Sequence, residues 1–290
     1  MIEKINVLSL FDGMSCGQIA LNKSGIEYEN YYASEIDKEA IKVTMKNYPN
    51  TIQVGSVTEL KGAELPKINL LIGGSPCQGF SFAGKQLNFD DPRSKLFFEF
   101  VRLLKETEPT YFLLENVVMK KEHEDVISSF LGVKPILIDS SLVSAQRRKR
   151  LYWTNIPIVG LPEDKGFLLK DVIDYNDKNR TFLDKSRIKQ SWTTDNYFQY
   201  DLTGKGHKSQ DQRAYFLNKK HGTLPSHGGS SKVKAVLEDG SIMHLSPLEC
   251  ERLQNVPENY TDCVSNSQRY QMLGNGWTID VIAFIFSFLK

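Results

Sequence analysis

With 290 residues, 40% hydrophobic and 24% charged, the chain can bury a sizeable core and exceeds the roughly 100–200 residues of a typical domain. Its 36 basic and 35 acidic residues leave a net charge of +1, so bulk charge does not announce a nucleic-acid binder; the 14 basic against 11 acidic residues between positions 156 and 244 suit a solvated surface as well as a phosphate-binding face. Cys16, Cys77, Cys250 and Cys263 share no CxxC spacing and no His cluster, which argues against a zinc site or a secreted disulfide framework. No leader pattern opens the chain, and its longest apolar run, Val281 to Leu289, is broken by Ser287 and falls far short of the ~20 residues that span a bilayer, so a reduced, cytoplasmic protein is expected.

In chain order, strands are expected at Ile5–Phe11, Tyr31–Glu35, Ile68–Gly73, Tyr111–Glu115, Ile136–Ile138 and Leu151–Asn155. Helices are expected between them at Cys16–Lys23, Lys38–Tyr48, Ser94–Glu106 and Lys121–Leu131. In the third of these helices Phe97, Phe100, Val101 and Leu104 mark one face. Strand alternating with helix implies parallel strands covered on both sides, an α/β doubly wound, Rossmann-like sheet. Residues 157–244 lose the alternation and turn rich in Gly, Ser, Asn, Asp, Lys and aromatics, the texture of a smaller, loop-rich second domain. Helical pattern returns at Pro247–Asn255, and the nearly all-apolar Trp277–Leu289 is expected to pack back onto the first domain. The expected division is 1–156 completed by 245–290, with 157–244 apart.

Four segments carry chemistry. Phe11-Asp12-Gly13-Met14-Ser15-Cys16-Gly17 lies at a strand-to-helix switch, where glycines let a ligand approach backbone N–H groups. Its spacing is not GxGxxG, which argues against NAD, and alone it is equally an ordinary turn. Glu35, 22 residues after Gly13, stands where an acidic residue meets ribose hydroxyls and favours an adenosine cofactor. Next, a buried strand ending in Gly73-Gly74-Ser75-Pro76-Cys77-Gln78 delivers a cysteine on a stiff loop to the carboxyl edge of the sheet. A lone cysteine is usually a core residue, whereas one so bracketed is better read as a nucleophile. Glu115 follows four apolar residues, and partial desolvation there suits proton donation; the alternative is a bystander beside an Asn116 helix cap. In Gln146-Arg147-Arg148-Lys149-Arg150, strand alternation would put 146, 148 and 150 on one face and 147 and 149 on the other, although a solvated charge run explains the cluster taken alone.

In this order the segments, with Leu245–Gln254 and Gln271-Met272-Leu273-Gly274-Asn275-Gly276-Trp277, resemble the DNA cytosine-5 methyltransferase family over most of the chain. The resemblance implies a class I methyltransferase sheet, S-adenosyl-L-methionine as methyl donor with S-adenosyl-L-homocysteine as product, and a flipped-out cytosine in double-stranded DNA as substrate. It implies Cys77, Glu115 and Arg148 as the catalytic set, flanked by Gln146 and Arg150. Phe11, Asp12, Gly13, Ser15, Gly17, Glu35, Ile36, Ser56, Ser75, Pro76, Leu96, Asn275 and Trp277 would line the cofactor pocket. Gln78, Ser81 and Thr223 would meet DNA, residues 157–244 would choose the target sequence, and Arg252 would brace the two domains. Ser56 departs from the family, which usually carries Asp there. Gly276-Trp277 looks closer to the animal de novo branch. No metal or membrane is implied; a monomer is expected, and whether a cognate restriction endonuclease accompanies it is left open. A tRNA cytosine-5 methyltransferase and a catalytically inactive DNA-binding homologue are the alternatives.

Overall fold

In the computed structural model of the chain, residues 4–75, 92–206, 210–227, 229 and 233–289 are described. The chain forms two compact units, Met1–Ile138 with Lys149–Leu161 and Ile282–Lys290, and Asp139–Arg148 with Pro162–Val281.

The first unit is built on seven strands: β1 (Ile5–Leu10), β2 (Tyr28–Ser34), β3 (Ile52–Gln53), β4 (Leu70–Gly73), β5 (Tyr111–Val117), β6 (Ile136–Asp139) and β7 (Lys149–Thr154), in the order β3-β2-β1-β4-β5-β7-β6. Helices α1 (Cys16–Ser24), α2 (Lys38–Asn47), α3 (Pro92–Thr107) and α4 (Lys121–Leu131) connect them. Because side chains alternate across a strand, each core strand has two apolar faces to cover. Leu8, Leu10, Leu71, Leu114 and Trp153 pack with Phe97, Phe100, Val101 and Leu103 of α3 and Ile127 of α4. On the opposite face Ile72 and Tyr31 meet α1 at Gly17. The expected doubly wound sheet is therefore present. One expectation is corrected: β7 runs antiparallel to β5, with Glu115 opposite Tyr152 and Val117 opposite Arg150, whereas the pairings from β3 to β5 are parallel. Residues 140–148, between β6 and β7, hold a single 3-10 turn and no crossover α-helix, and parallel neighbours need one.

The second unit holds a five-stranded sheet in the order β12-β11-β10-β9-β8: β8 (Gln190–Thr193), β9 (Tyr197–Asp201), β10 (Arg213–Phe216), β11 (Lys234–Val236) and β12 (Ile242–His244). Its small core gathers Tyr200, Ala214, Val236 and Ile242. Helices α5 (Pro247–Leu253), α6 (Asn266–Asn275) and α7 (Ile279–Phe286) follow, the last passing into the first unit at Ile282. The expectation missed α6, whose apolar residues are too few to show a periodic face. Among the described residues no helix is long and apolar enough to cross a membrane, and no His, Cys, Asp and Glu group could hold a metal.

Gly17 sets how closely α1 lies on the sheet. A Cβ there would stand 2.5 Å from both Ile72 Cδ1 and Tyr31 Oη, and both side chains are buried. Gly17→Ala should gain about 1 kcal/mol of helix propensity and lose about 1–3 kcal/mol to overpacking, the larger effect. A lower urea midpoint with an unchanged m-value is the expected outcome.

Candidate active site

Parallel β1, β4 and β5 end side by side, so the residues just beyond them share the carboxyl edge of the sheet, where ligands bind in such folds. After β1 the chain turns through three left-handed residues, Phe11 (φ 56°), Gly13 (φ 59°) and Ser15 (φ 64°), two of which carry the Cβ that disfavours this conformation. Hydrogen bonds hold the turn. Asp12 N–H donates to Ser34 O at 3.2 Å, Tyr31 Oη donates to Asp12 Oδ1 at 2.7 Å, and Gly13 N–H donates to Glu35 Oε2 at 2.7 Å. Glu35, just past the end of β2, accepts from the N–H groups of Ile36 and Asp37 on its other oxygen at 2.7 and 2.9 Å. One carboxylate thus ties the β1 turn to the start of α2.

These residues suit an adenosine cofactor. The space beside Gly13 Cα is open, and Ile36, 74% exposed, offers an apolar side chain next to the Glu35 carboxylate. Ser56 Oγ lies 2.8 Å from Thr58 Oγ1, in the turn that follows β3. Leu96 is half-buried at the start of α3, against the core.

After β4, Ser75 is buried, and Asn116 Nδ2 donates to its carbonyl at 3.3 Å and lies 3.4 Å from its hydroxyl. Asn116 is a strand residue of β5 and begins no helix, so the capping alternative is set aside. It anchors the backbone immediately before Pro76. Pro76, Cys77, Gln78 and Ser81, with the loop that follows them, lie outside the described residues. Glu115, only 8% exposed, is met by Arg150 across the antiparallel pair, Nε to Oε1 at 2.9 Å. The diagonal geometry of neighbouring strands makes that contact possible.

The other residues of this set belong to the second unit. Burial alternates as expected along 146–150: Gln146 and Arg148 are buried, Arg147 and Lys149 exposed, Arg150 half-buried. The solvated-run alternative therefore fails at Arg148, 3% exposed, whose Nη2 donates to the carbonyls of Gly274 and Gly276 at 3.1 and 2.9 Å. Gln146 donates to Leu253 O and Gln254 Oε1 and accepts from Leu224 N–H. Thr223 Oγ1 donates to Arg147 O at 2.8 Å. Asn275 is exposed at the end of α6 and Trp277 half-buried just beyond. Arg252 pairs with Glu258 and donates to Val172 O.

Sequence reasoning passed over Tyr31 and Gln254 and gave Asn116 only a capping role. Gln254 donates to Leu273 O and accepts from Thr278 Oγ1, sharing the Gly276 carbonyl with Arg148. Asn116 and Gln254 stood inside quoted motifs and could have been found there; Tyr31 gives no sign beyond a tyrosine in a strand.

Burial raises the Asp12 carboxyl to about 6, against partial relief from hydrogen bonds with Ser9, Tyr31 and Ser15. The unfolded chain releases this proton near pH 3.8, so between about pH 4 and 6 it binds fewer protons than the native state. Stability should fall as pH rises through that window, by up to about 3 kcal/mol, and the loss should persist above it. Asp12→Asn should remove that contribution, so its stability relative to the parent should rise from pH 4 to 6 in urea unfolding.

A sequence model of C-5 cytosine-specific DNA methylase matches residues 5–290. The chain is 31% identical to the type II methyltransferase M1.ScrFI of Lactococcus lactis subsp. cremoris over 96% of its length and 76% of that protein. It is 29% identical to the type II methyltransferase M.HhaI of Haemophilus parahaemolyticus, over 97% and 93%. Among solved structures, the Entamoeba histolytica methyltransferase EhMeth superposes with a TM-score of 0.75 at 19% identity, covering 99% of both chains. A mutant form of Spodoptera frugiperda DNMT2 gives 0.71 at 18% identity, again over 99% of both. The chain belongs to the C-5 cytosine-specific DNA methylase family.

Proposed function

We propose that this chain methylates C5 of a cytosine flipped out of duplex DNA, through a covalent adduct of Cys77 with C6. The observation that carries the reading is the end of β5. There Asn116 fixes Ser75, two residues before Cys77 in the chain, and the adjacent Glu115 is held by Arg150.

Cytosine C5 is a poor nucleophile and needs activation. Addition of the Cys77 thiolate to C6 breaks the C5–C6 double bond and pushes its electron pair toward C5. Glu115 would protonate or hydrogen-bond the N3/N4 edge, and Arg148 would hold O2. Bound S-adenosylmethionine supplies an electrophilic methyl group. Loss of the C5 proton to a base then restores the double bond and expels Cys77. A free thiol with pKa ~8.5 is only a few per cent thiolate at neutral pH, so a positive environment assists the first step. The ring face is hidden in a stacked duplex, and swinging the base out costs a few kcal/mol, offset by pocket contacts.

Phe11, Gly13, Glu35 and Ile36 would hold the cofactor, with Ser56 in place of the usual carboxylate near the adenine. Gln146 would position Arg148, since its amide is spent on protein partners. Residues 157–244 would choose the target sequence, with Thr223 near the DNA backbone.

Incubation with labelled cofactor and either duplex DNA or tRNA should label the DNA alone; label on tRNA alone would overturn the DNA reading. Cys77→Ser should abolish transfer yet bind duplex. Glu115→Gln should lower the chemical rate about 10²–10⁴-fold with little change in cofactor affinity. Robust turnover by the serine variant would defeat the covalent scheme, and loss of cofactor binding in the glutamine variant would defeat the assignment of Glu115.

A further inference from the structure

Arg147 stands between two residues assigned to the reaction, yet it points the other way. Its backbone is laced to 221–224: Arg147 N–H donates to His221 O at 2.8 Å, and Thr223 Oγ1 donates to Arg147 O. Its guanidinium reaches across 49 positions of sequence, Nη2 to Asn196 Oδ1 at 2.7 Å, a charge-assisted distance. Asn196 lies in the turn between β8 and β9. Its N–H donates to Thr194 Oγ1, and its carbonyl accepts from Phe216 N–H of β10 at 3.3 Å. The turn is therefore part of the sheet and moves with it.

That sheet has two unlike faces. Phe198, Tyr200 and Ala214 point into the small core. The opposite face carries Tyr197, Gln199, Arg213 and Tyr215. Arg213 Nε donates to Gln199 Oε1 at 3.0 Å, and its guanidinium lies 4.6 Å from the Tyr197 ring centre. Tyr215 meets Tyr197 edge to face at 5.6 Å and the His221 ring at 4.5 Å. No Cβ would fit at Gly222, which lies against the Tyr215 ring and hydroxyl. The face, the turn and the 221–224 segment form one hydrogen-bonded and stacked body, and Arg147 joins it to the extended segment that carries Arg148.

We propose that Arg147 is a positioning residue that, through Asn196, couples the β8–β10 sheet to the placement of Arg148. The inference rests on the reading that residues 157–244 recognise the substrate. Alternation along the backbone makes the coupling physical. Gln146 and Arg148 point inward and Arg147 outward on one extended segment, so fixing the Arg147 side chain restricts the torsions that aim Arg148. A sheet correctly seated on its target would hold the turn, and with it Arg147; a poorly seated one would not.

The preferred site is first found by bisulfite sequencing of a random-sequence plasmid pool treated with the parent enzyme. Methyl transfer is then measured on duplexes carrying that site or single-base variants of it. Arg147→Ala and Asn196→Ala should each lower kcat on the preferred site about tenfold and reduce discrimination against the variant sites by a similar factor, with cofactor KM unchanged. The double variant should be no worse than either single one, as expected of two groups acting through one contact. Asn196→Asp, which keeps an acceptor for the guanidinium, should retain parental values. Losses that multiply in the double variant, discrimination that does not move, or an Asn196→Asp enzyme as impaired as the alanine variant would each overturn the coupling. A parent enzyme that methylates no duplex would refute the functional reading, and the coupling with it.

Discussion

β7 runs against β5 in a sheet whose pairings from β3 to β5 are parallel, and that reversal brings Arg150 to within 2.9 Å of Glu115. In a parallel sheet the carboxyl edge receives only the residues that follow each strand. A reversed strand presents its first residues there instead, so Lys149 and Arg150 arrive at the edge where β1, β4 and β5 end. The cation that holds the β5 carboxylate is thus a product of topology. It could not come from a β7 of the opposite direction, because Arg150 would then lie at the far end of the sheet.

Charge at this edge is costly to bury, and its placement is what the surrounding hydrogen bonds secure. Removing one partner from a buried ion pair costs on the order of 3–5 kcal/mol, while an apolar replacement of both is often neutral. The Glu115–Arg150 pair is therefore better explained by orientation than by stability. The β1 turn shows the same logic. Left-handed Phe11 and Ser15 carry strain of the order of 1–3 kcal/mol each. Glu35 compensates by accepting from three backbone N–H groups, whereas Asp12 is desolvated and raised to about 6. The two acidic residues around this turn thus have different duties: Glu35 organises the backbone, and Asp12 with Tyr31 fills the space beneath it.

Much of the first unit was legible in the sequence. β1, β4 and β5 are short apolar runs that admit one reading once helices separate them, and α1, α2 and α4 begin at the expected residues. The positions of Gly73 and Glu115 in the sheet were legible for the same reason, since each follows an apolar run. The direction of β7 was not legible, because alternation fixes which face a side chain takes and says nothing about which way the strand runs. α3 buries Leu103 more completely than the expected Leu104, a shift of one position that periodicity alone does not resolve. Tyr31 was invisible because its value lies in a hydroxyl reaching Asp12, 19 positions away.

The second unit shows why motif residues and reacting residues are hard to separate by type alone. Within Leu245–Gln254, Glu249 closes a capping box with Ser246 and pairs with Arg180. Glu251 accepts from Thr261 and Arg269, and Gln254 joins Gln146 to the Gly276 carbonyl. Buried Glu and Gln in a motif invite a catalytic reading, yet here every one of these groups is engaged with protein partners, as buried polar groups must be. Arg148 shares in this framework through the same Gly276 carbonyl. A residue whose aim depends on so many fixed neighbours cannot be adjusted alone. Arg147, exposed and held at its guanidinium by Asn196, is the point on that segment where an outside signal can act.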